Sequence, residues 1–285
     1  MKRRLLLLLC LLLLPVGARA ALEAAWNPPV VDLRVGLSRT MIRDPSLAKG
    51  VGQAGYVELN RGGVIGVLLP LPAAELDTGP RNALSDYFAL RTALESSQRF
   101  AIGDCRRRSG RISVWFELEA ANELAQDPAA VALWVERGVR VFRIGGGRDN
   151  ALASVATDIA SASASTGLTR AGRDVVLRIL AAGALVDVSD ASPQSIADVL
   201  ELAGKSAAPV IATHSNAKAL ADRPKNLSDA LIRGIAHSGG LIAVTAGRDS
   251  LAAGRPATIE HLVHQIAYLV RIAGAEHVAL GSGFE

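Results

Sequence analysis

At 285 residues the chain can bury one sizeable core, and it is near the roughly 250 residues of a single TIM-type barrel, though length alone would also allow two smaller domains. Its 31 Lys and Arg exceed its 27 Asp and Glu by four, and residues 1–20 alone hold four basic residues (Lys2, Arg3, Arg4, Arg19) and no acidic one, so the rest of the chain is neutral. The charge therefore gives no basic surface for nucleic acid, and 4% aromatic residues leave little to stack on bases or sugars.

In chain order, Lys2, Arg3 and Arg4 precede an apolar run over residues 5–14, and Ala18-Arg19-Ala20 follows Pro15. That is the pattern of a secretory signal peptide, too short for a spanning helix. It predicts passage across the inner membrane to a periplasmic or extracellular location, with an uncleaved N-terminal membrane anchor as the alternative. One domain over residues 21–285 is then expected. Cys105 is the one cysteine left after residue 20, so no intramolecular disulfide can form.

Short Val/Ile/Leu/Ala runs follow at residues 30–34, 63–69, 111–119, 139–144, 184–189, 209–214, 241–245 and 277–281. Between them, residues 85–99, 128–137, 172–182, 193–204, 227–238 and 259–273 carry a helical period. Ser192 before Pro193, and Asn226 before Leu227, are expected N-caps. Gly138, Gly183, Gly239 and Gly274 stand where helices should stop. Apolar runs alternating with helices imply parallel strands joined by right-handed crossovers. Eight such units predict a TIM-like (β/α)8 barrel, with a doubly wound open sheet as the alternative, and no final C-terminal helix within the chain. Gly145-Gly146-Gly147 reads as a tight turn or, with Arg148, an anion nest. The Ala- and Ser-rich stretch 151–167 reads as a flexible loop.

From about Gly167 onward the sequence resembles the membrane (renal-type) dipeptidases. The residues that carry the likeness include Gly167-Leu168-Thr169, Val186-Asp187-Val188-Ser189, Pro209-Val210-Ile211-Ala212-Thr213-His214-Ser215-Asn216-Ala217, Asn226-Leu227-Ser228-Asp229, Gly239-Gly240-Leu241-Ile242 and His277-Val278-Ala279-Leu280-Gly281-Ser282. The resemblance implies a TIM-like barrel and, in ordinary members, a two-zinc centre that hydrolyses dipeptides. It also suggests a homodimer.

Carried over position by position, that centre is largely replaced. Arg34 stands at a ligand histidine of the first strand, and Gly36 at a ligand aspartate. The bridging glutamate matches Glu119 and one metal histidine matches His214. A second metal histidine matches Asp190, and a substrate histidine falls near Gly146. The arginine for the substrate carboxylate falls at Lys225, and the two aspartates of the last turn fall at Gly283 and Glu285.

Strand alternation supports part of this. Ile112, Val114, Phe116 and Leu118 should face the helices, which turns Glu117 and Glu119 into the lumen. A surface role for Glu119 and a structural role for His214 stay open. A fixed guanidinium repels a dication and cannot deprotonate. Arg34 is therefore expected to replace the metal and pair with Glu119, and with Asp190 as a further partner. The resulting expectation is an exported dipeptidase-like protein that is inactive or binds a dipeptide or other small carboxylate through Lys225, with no cofactor. The alternative is a one-metal dipeptidase or amidohydrolase holding zinc on Glu119, His214 and Asp190. No other nucleophile stands out: Cys105 lies among Arg106, Arg107 and Arg108 in an expected solvated loop, and His261 and His264 suit packing or solvent.

Overall fold

The computed structural model describes residues 29–36, 54–71, 83–103, 110–119, 121–147, 149–156 and 166–284. The expected signal at residues 1–20, and Cys105, Arg148 and Glu285, lie outside them. Among the described residues no helix is long and apolar enough to cross a membrane.

The strands are β1 (Val30–Asp32), β2 (Val64–Leu71), β3 (Phe100–Ile102), β4 (Ile112–Leu118), β5 (Val139–Arg143), β6 (Leu185–Asp187), β7 (Val210–Ile211), β8 (Ile242–Val244) and β9 (Val278–Leu280). All pair in parallel in the order β7-β6-β5-β4-β2-β1-β9-β8, and an Ala212–Ile242 bridge joins the two ends of that path. Eight strands thus close into the expected TIM-like barrel. The ninth, β3, lies off the path and pairs with the lower half of β4 alone. Its three residues, Phe100-Ala101-Ile102, are too short a run to stand out from the helix before them.

The helices are α1 (Tyr56–Arg61), α2 (Ala83–Ser97), α3 (Ala130–Glu136), α4 (Arg170–Ala181), α5 (Pro193–Gly204), α6 (Asp229–His237), α7 (Arg248–Ala252) and α8 (Ile259–Ala273). The six expected helices are α2 to α6 and α8. The short α1 and α7 carry too little periodicity to be read from sequence. Ser192 caps α5 as expected, its hydroxyl accepting the Ser195 amide at 3.1 Å. Asn226 does not cap α6. Ser228 takes that position, because the Ala217–Leu227 bridge draws Asn226 inward to donate to the Ala221 and Ser250 carbonyls. Gly138, Gly183, Gly239 and Gly274 all have positive φ, as helix stops require.

The main core lies between barrel and helices. Ile112, Val114, Phe116 and Leu118 face it from β4, and Tyr87 packs edge-on against Phe116 and Trp134. A second cluster fills the barrel's lower lumen: Leu68, Val141 and Ile211 against Trp115, Leu185 and Leu241. A methyl group on Gly66 would lie 2.7 Å from the Trp115 ring, so that glycine leaves room for the indole.

Gly281, just past β9, crosses the chain at closer range. A Cβ there would stand 1.8 Å from the Thr213 carbonyl oxygen, which is backbone and cannot swing aside. Gly281→Ala is therefore expected to cost about 1–3 kcal/mol or more as overpacking, read by urea denaturation. An unchanged midpoint would contradict this contact. The described part of the expected loop at 151–167 is pinned rather than free. Ala153 bridges Leu168, Val155 bridges Ala191, and buried Ser154 hydrogen-bonds with Ser192 and Ser195.

Candidate functional site

Parallel strands place their C-terminal ends at one mouth, and the inward parity of β4, β5 and β6 sets which side chains meet there. In register, Glu117 lies opposite Val141, and Arg143 opposite Asp187. Glu117 of β4, Glu119 just past its end, Arg143 of β5 and Asp187 of β6 therefore project into the upper lumen, and all four are buried. Asp190 and His214 extend the ring just beyond β6 and β7.

Arg143 sits at its centre. Its Nη2 donates to Glu119 Oε1 at 2.8 Å and its Nη1 to Asp190 Oδ2 at 3.1 Å, while Nε reaches the Glu119 carbonyl at 3.2 Å. The same Nη1 lies 3.3 Å from His214 Nε2. Arg34 reaches Glu119 Oε1 at 2.7 Å and Glu117 Oε2 at 3.4 Å. Lys225 Nζ is 3.2 Å from Asp190 Oδ1, and its side chain stays 39% exposed.

Arg34 thus pairs with Glu119 as expected but not with Asp190. Strand order gives the reason: β1 neighbours β2 and β9, whereas β5 lies between β4 and β6. A guanidinium on β5 can span Glu119 and Asp190, and one on β1 meets only the β4 side. Arg143 is the residue that sequence reading missed. A usable signal existed, because Val141 and Arg143 share inward parity at the end of an apolar strand.

Behind the ring, Thr213 Oγ1 donates to Asp187 Oδ2 at 2.7 Å and lies 2.9 Å from His214 Nδ1. Because that hydroxyl proton goes to the carboxylate, His214 Nδ1–H must donate to Thr213 and its Nε2 carries the lone pair. Burial first, then the Arg34 charge, holds the imidazole pKa down, in keeping with a neutral ring. Asp190 is held far below the usual carboxylate range: His214, Arg143 and Lys225 outweigh its burial.

Glu117 behaves oppositely. Burial and the Asp187 charge push it well above its ordinary 4.5, so it holds its proton to higher pH in the fold than in the unfolded chain. A carboxyl group raised in this way opposes folding as pH climbs past 4.5, because only the unfolded chain ionises there. Glu117→Gln is therefore expected to gain stability over the parent by on the order of 1 kcal/mol more at pH 8 than at pH 5. Chemical denaturation at both values checks this, and a pH-independent difference would refute a protonated Glu117.

The other expected positions stay in the main chain or away from the ring. Gly36 and Gly283 meet Phe284 and Arg34 through backbone hydrogen bonds. Gly145 makes a close turn, since a Cβ there would lie 2.3 Å from the Ser189 carbonyl oxygen. His261 serves the α8 cap with Thr258.

A parallel barrel whose C-terminal mouth is lined by buried carboxylates, an imidazole and cations has the frame of a TIM-barrel hydrolase. The chain belongs to the membrane dipeptidase family, peptidase family M19, whose model matches residues 88–285. An uncharacterised dipeptidase of Schizosaccharomyces pombe is 28% identical over 183 residues, 63% of this chain and 43% of that protein. An uncharacterised protein of the pqqA 5′ region in Klebsiella pneumoniae is 40% identical over 123 residues, 42% of this chain and 44% of that one. The matches thus span less than half of these curated relatives. Among solved structures, the probable dipeptidase PvdM of Pseudomonas aeruginosa superposes with a TM-score of 0.78 at 21% identity, over 94% of this chain and 86% of that one. A metallo peptidase of Rhodobacter sphaeroides, liganded with a phosphinate mimic of the dipeptide L-Ala-D-Ala, gives 0.76 at 23% identity, over 90% and 86%.

This membership corrects one expectation. The family is one of metallo peptidases, so a metal is its implied cofactor, and the expectation of no cofactor falls. The arrangement of this chain's residues does not fit a two-metal centre. Two guanidinium groups share Glu119 Oε1, and Arg143 separates Glu119 from Asp190 and His214. Among the described residues no three of His, Cys, Asp and Glu stand ready to hold an ion.

Proposed function

We propose that this protein binds a dipeptide or a related small carboxylate at the barrel mouth and has lost family-type hydrolysis. The observation that carries this reading is the double engagement of Glu119 by Arg34 and Arg143. An acid held between two fixed cations is a poor base and a poor metal bridge. Lys225, half-exposed and paired with Asp190 Oδ1, can turn to a ligand carboxylate. The signal-like residues 1–20 support delivery across the inner membrane.

Calorimetry against a dipeptide panel that includes L-Ala-D-Ala, alongside a hydrolysis assay, tests the reading. Binding without turnover is expected, and Lys225→Ala should weaken it by roughly 10-fold or more, as for a lost charged hydrogen bond. Turnover by the protein as isolated would overturn it. Asp190 Oδ2 and His214 Nε2, 3.3 Å apart at the same mouth as Glu119, favour a second reading, a one-metal dipeptidase. Turnover that appears with added zinc and disappears with chelator would select that reading.

A further inference from the structure

We infer that Arg143 is a built-in cation occupying a single metal seat formed by Glu119, Asp190 and His214, so that it and a divalent ion exclude one another.

Three acceptor atoms meet the Arg143 guanidinium: Glu119 Oε1 at 2.8 Å, Asp190 Oδ2 at 3.1 Å and His214 Nε2 at 3.3 Å. Two carboxylates and one neutral imidazole are the donor types of a one-zinc site with an open fourth position, but with Arg143 between them no three described residues are grouped to hold an ion. The spacing agrees. Asp190 Oδ2 and His214 Nε2 stand 3.3 Å apart, and two ligands about 2.0–2.1 Å from a tetrahedral ion lie about 3.3–3.4 Å from one another. Two bare acceptors at that range repel unless a cation lies beside them, and here that cation is Arg143.

The support behind the imidazole is also what a metal ligand needs. The hydrogen-bond order from His214 Nδ1–H to Thr213 Oγ1 and on to Asp187 fixes the tautomer and aims the Nε2 lone pair into the seat. Asp187 is fully buried, accepts from the backbone and hydroxyl groups of Ser189 and Thr213, and is also hydrogen-bonded to Glu117. Asp190 is likewise held in place, with a left-handed φ of 63° at a non-glycine residue and its carbonyl accepting from the Ala156 amide.

This inference rests on the geometry of the mouth and not on the ligand proposed above, so a protein that binds no dipeptide leaves it standing. The test is zinc binding by Arg143→Met, which keeps length and apolar bulk but removes the charge. Equilibrium dialysis with metal analysis should find one zinc per chain, bound at least ~100-fold more tightly than by the parent. Zinc should raise the melting temperature of the variant, and adding His214→Ala should abolish both effects. Equal zinc binding by parent and variant, whether strong or absent, overturns the inference. So does tight binding that survives His214→Ala. Should Arg143→Met fail to fold alone, refolding with zinc or with magnesium decides. Recovery with zinc only supports the seat, and failure with both, or equal recovery with both, rejects it.

Discussion

Arg143→Ala is expected to lower the free energy of unfolding by about 3–5 kcal/mol, the range for a buried charge pair that loses one partner. The Arg143 side chain is only 8% exposed and joins two carboxylates on neighbouring strands. Its removal leaves Arg34 as the cation paired with Glu119, and Lys225 and His214 beside Asp190. The remaining pairs lie on opposite sides of the lumen. Urea denaturation measures the loss. A change below 1 kcal/mol would mean that the mouth relaxes around the missing charge and that Arg143 is not its keystone.

Arg34→Ala is expected to be the second-largest effect, about 2–4 kcal/mol, because the side chain is 17% exposed and Glu119 keeps Arg143. Both guanidinium groups touch the same oxygen, so the two substitutions should not add. Either arginine can partly screen Glu119 for the other, and the double variant should lose more than the sum of the singles by about 1 kcal/mol or more. Strict additivity would show that the two cations act on separate groups. Burial favours the neutral form of Arg34, but Glu119 and Glu117 outweigh it and raise the guanidinium pKa further. Its charge therefore persists at any pH used in the measurement.

The barrel was legible because two local signals agreed along most of the chain. Apolar runs such as Pro209-Val210-Ile211-Ala212 marked buried parallel strands, and stops such as Gly183 and Gly239 marked the ends of the helices between them. The placement of Glu117 and Glu119 in the lumen followed from the alternation of β4 alone. Arg34 was expected at Glu119, and it is there. The centre of the site was less legible, because which cation reaches Asp190 depends on strand order and not on distance along the sequence. Arg143 precedes the glycines at 145–147, and a comparison of ligand positions passes over a residue that stands at none of them. The Asn226 cap failed for a similar reason. A competing tertiary contact, the Ala217–Leu227 bridge, took the side chain inward. The motifs between Gly167 and Ser282 already pointed to a family whose inherited chemistry is metal-based, and the family match agrees.

Strand β3, three residues long and outside the barrel's closed path, has a mechanical consequence. It pairs with Ile112, Ser113 and Val114, while β5 begins its pairing at Phe116 on the same strand. β2 holds the opposite edge of β4 along Ser113 to Leu118, so β3 and β5 share one edge end to end. A parallel strand can slip only by two residues if its inward faces are to stay inward. Downward slippage of β5 by that step would collide with β3, and it would pull the guanidinium some 6–7 Å below the carboxylates it serves. The short strand is thus a doorstop: it sets the height at which β5 delivers its last side chain.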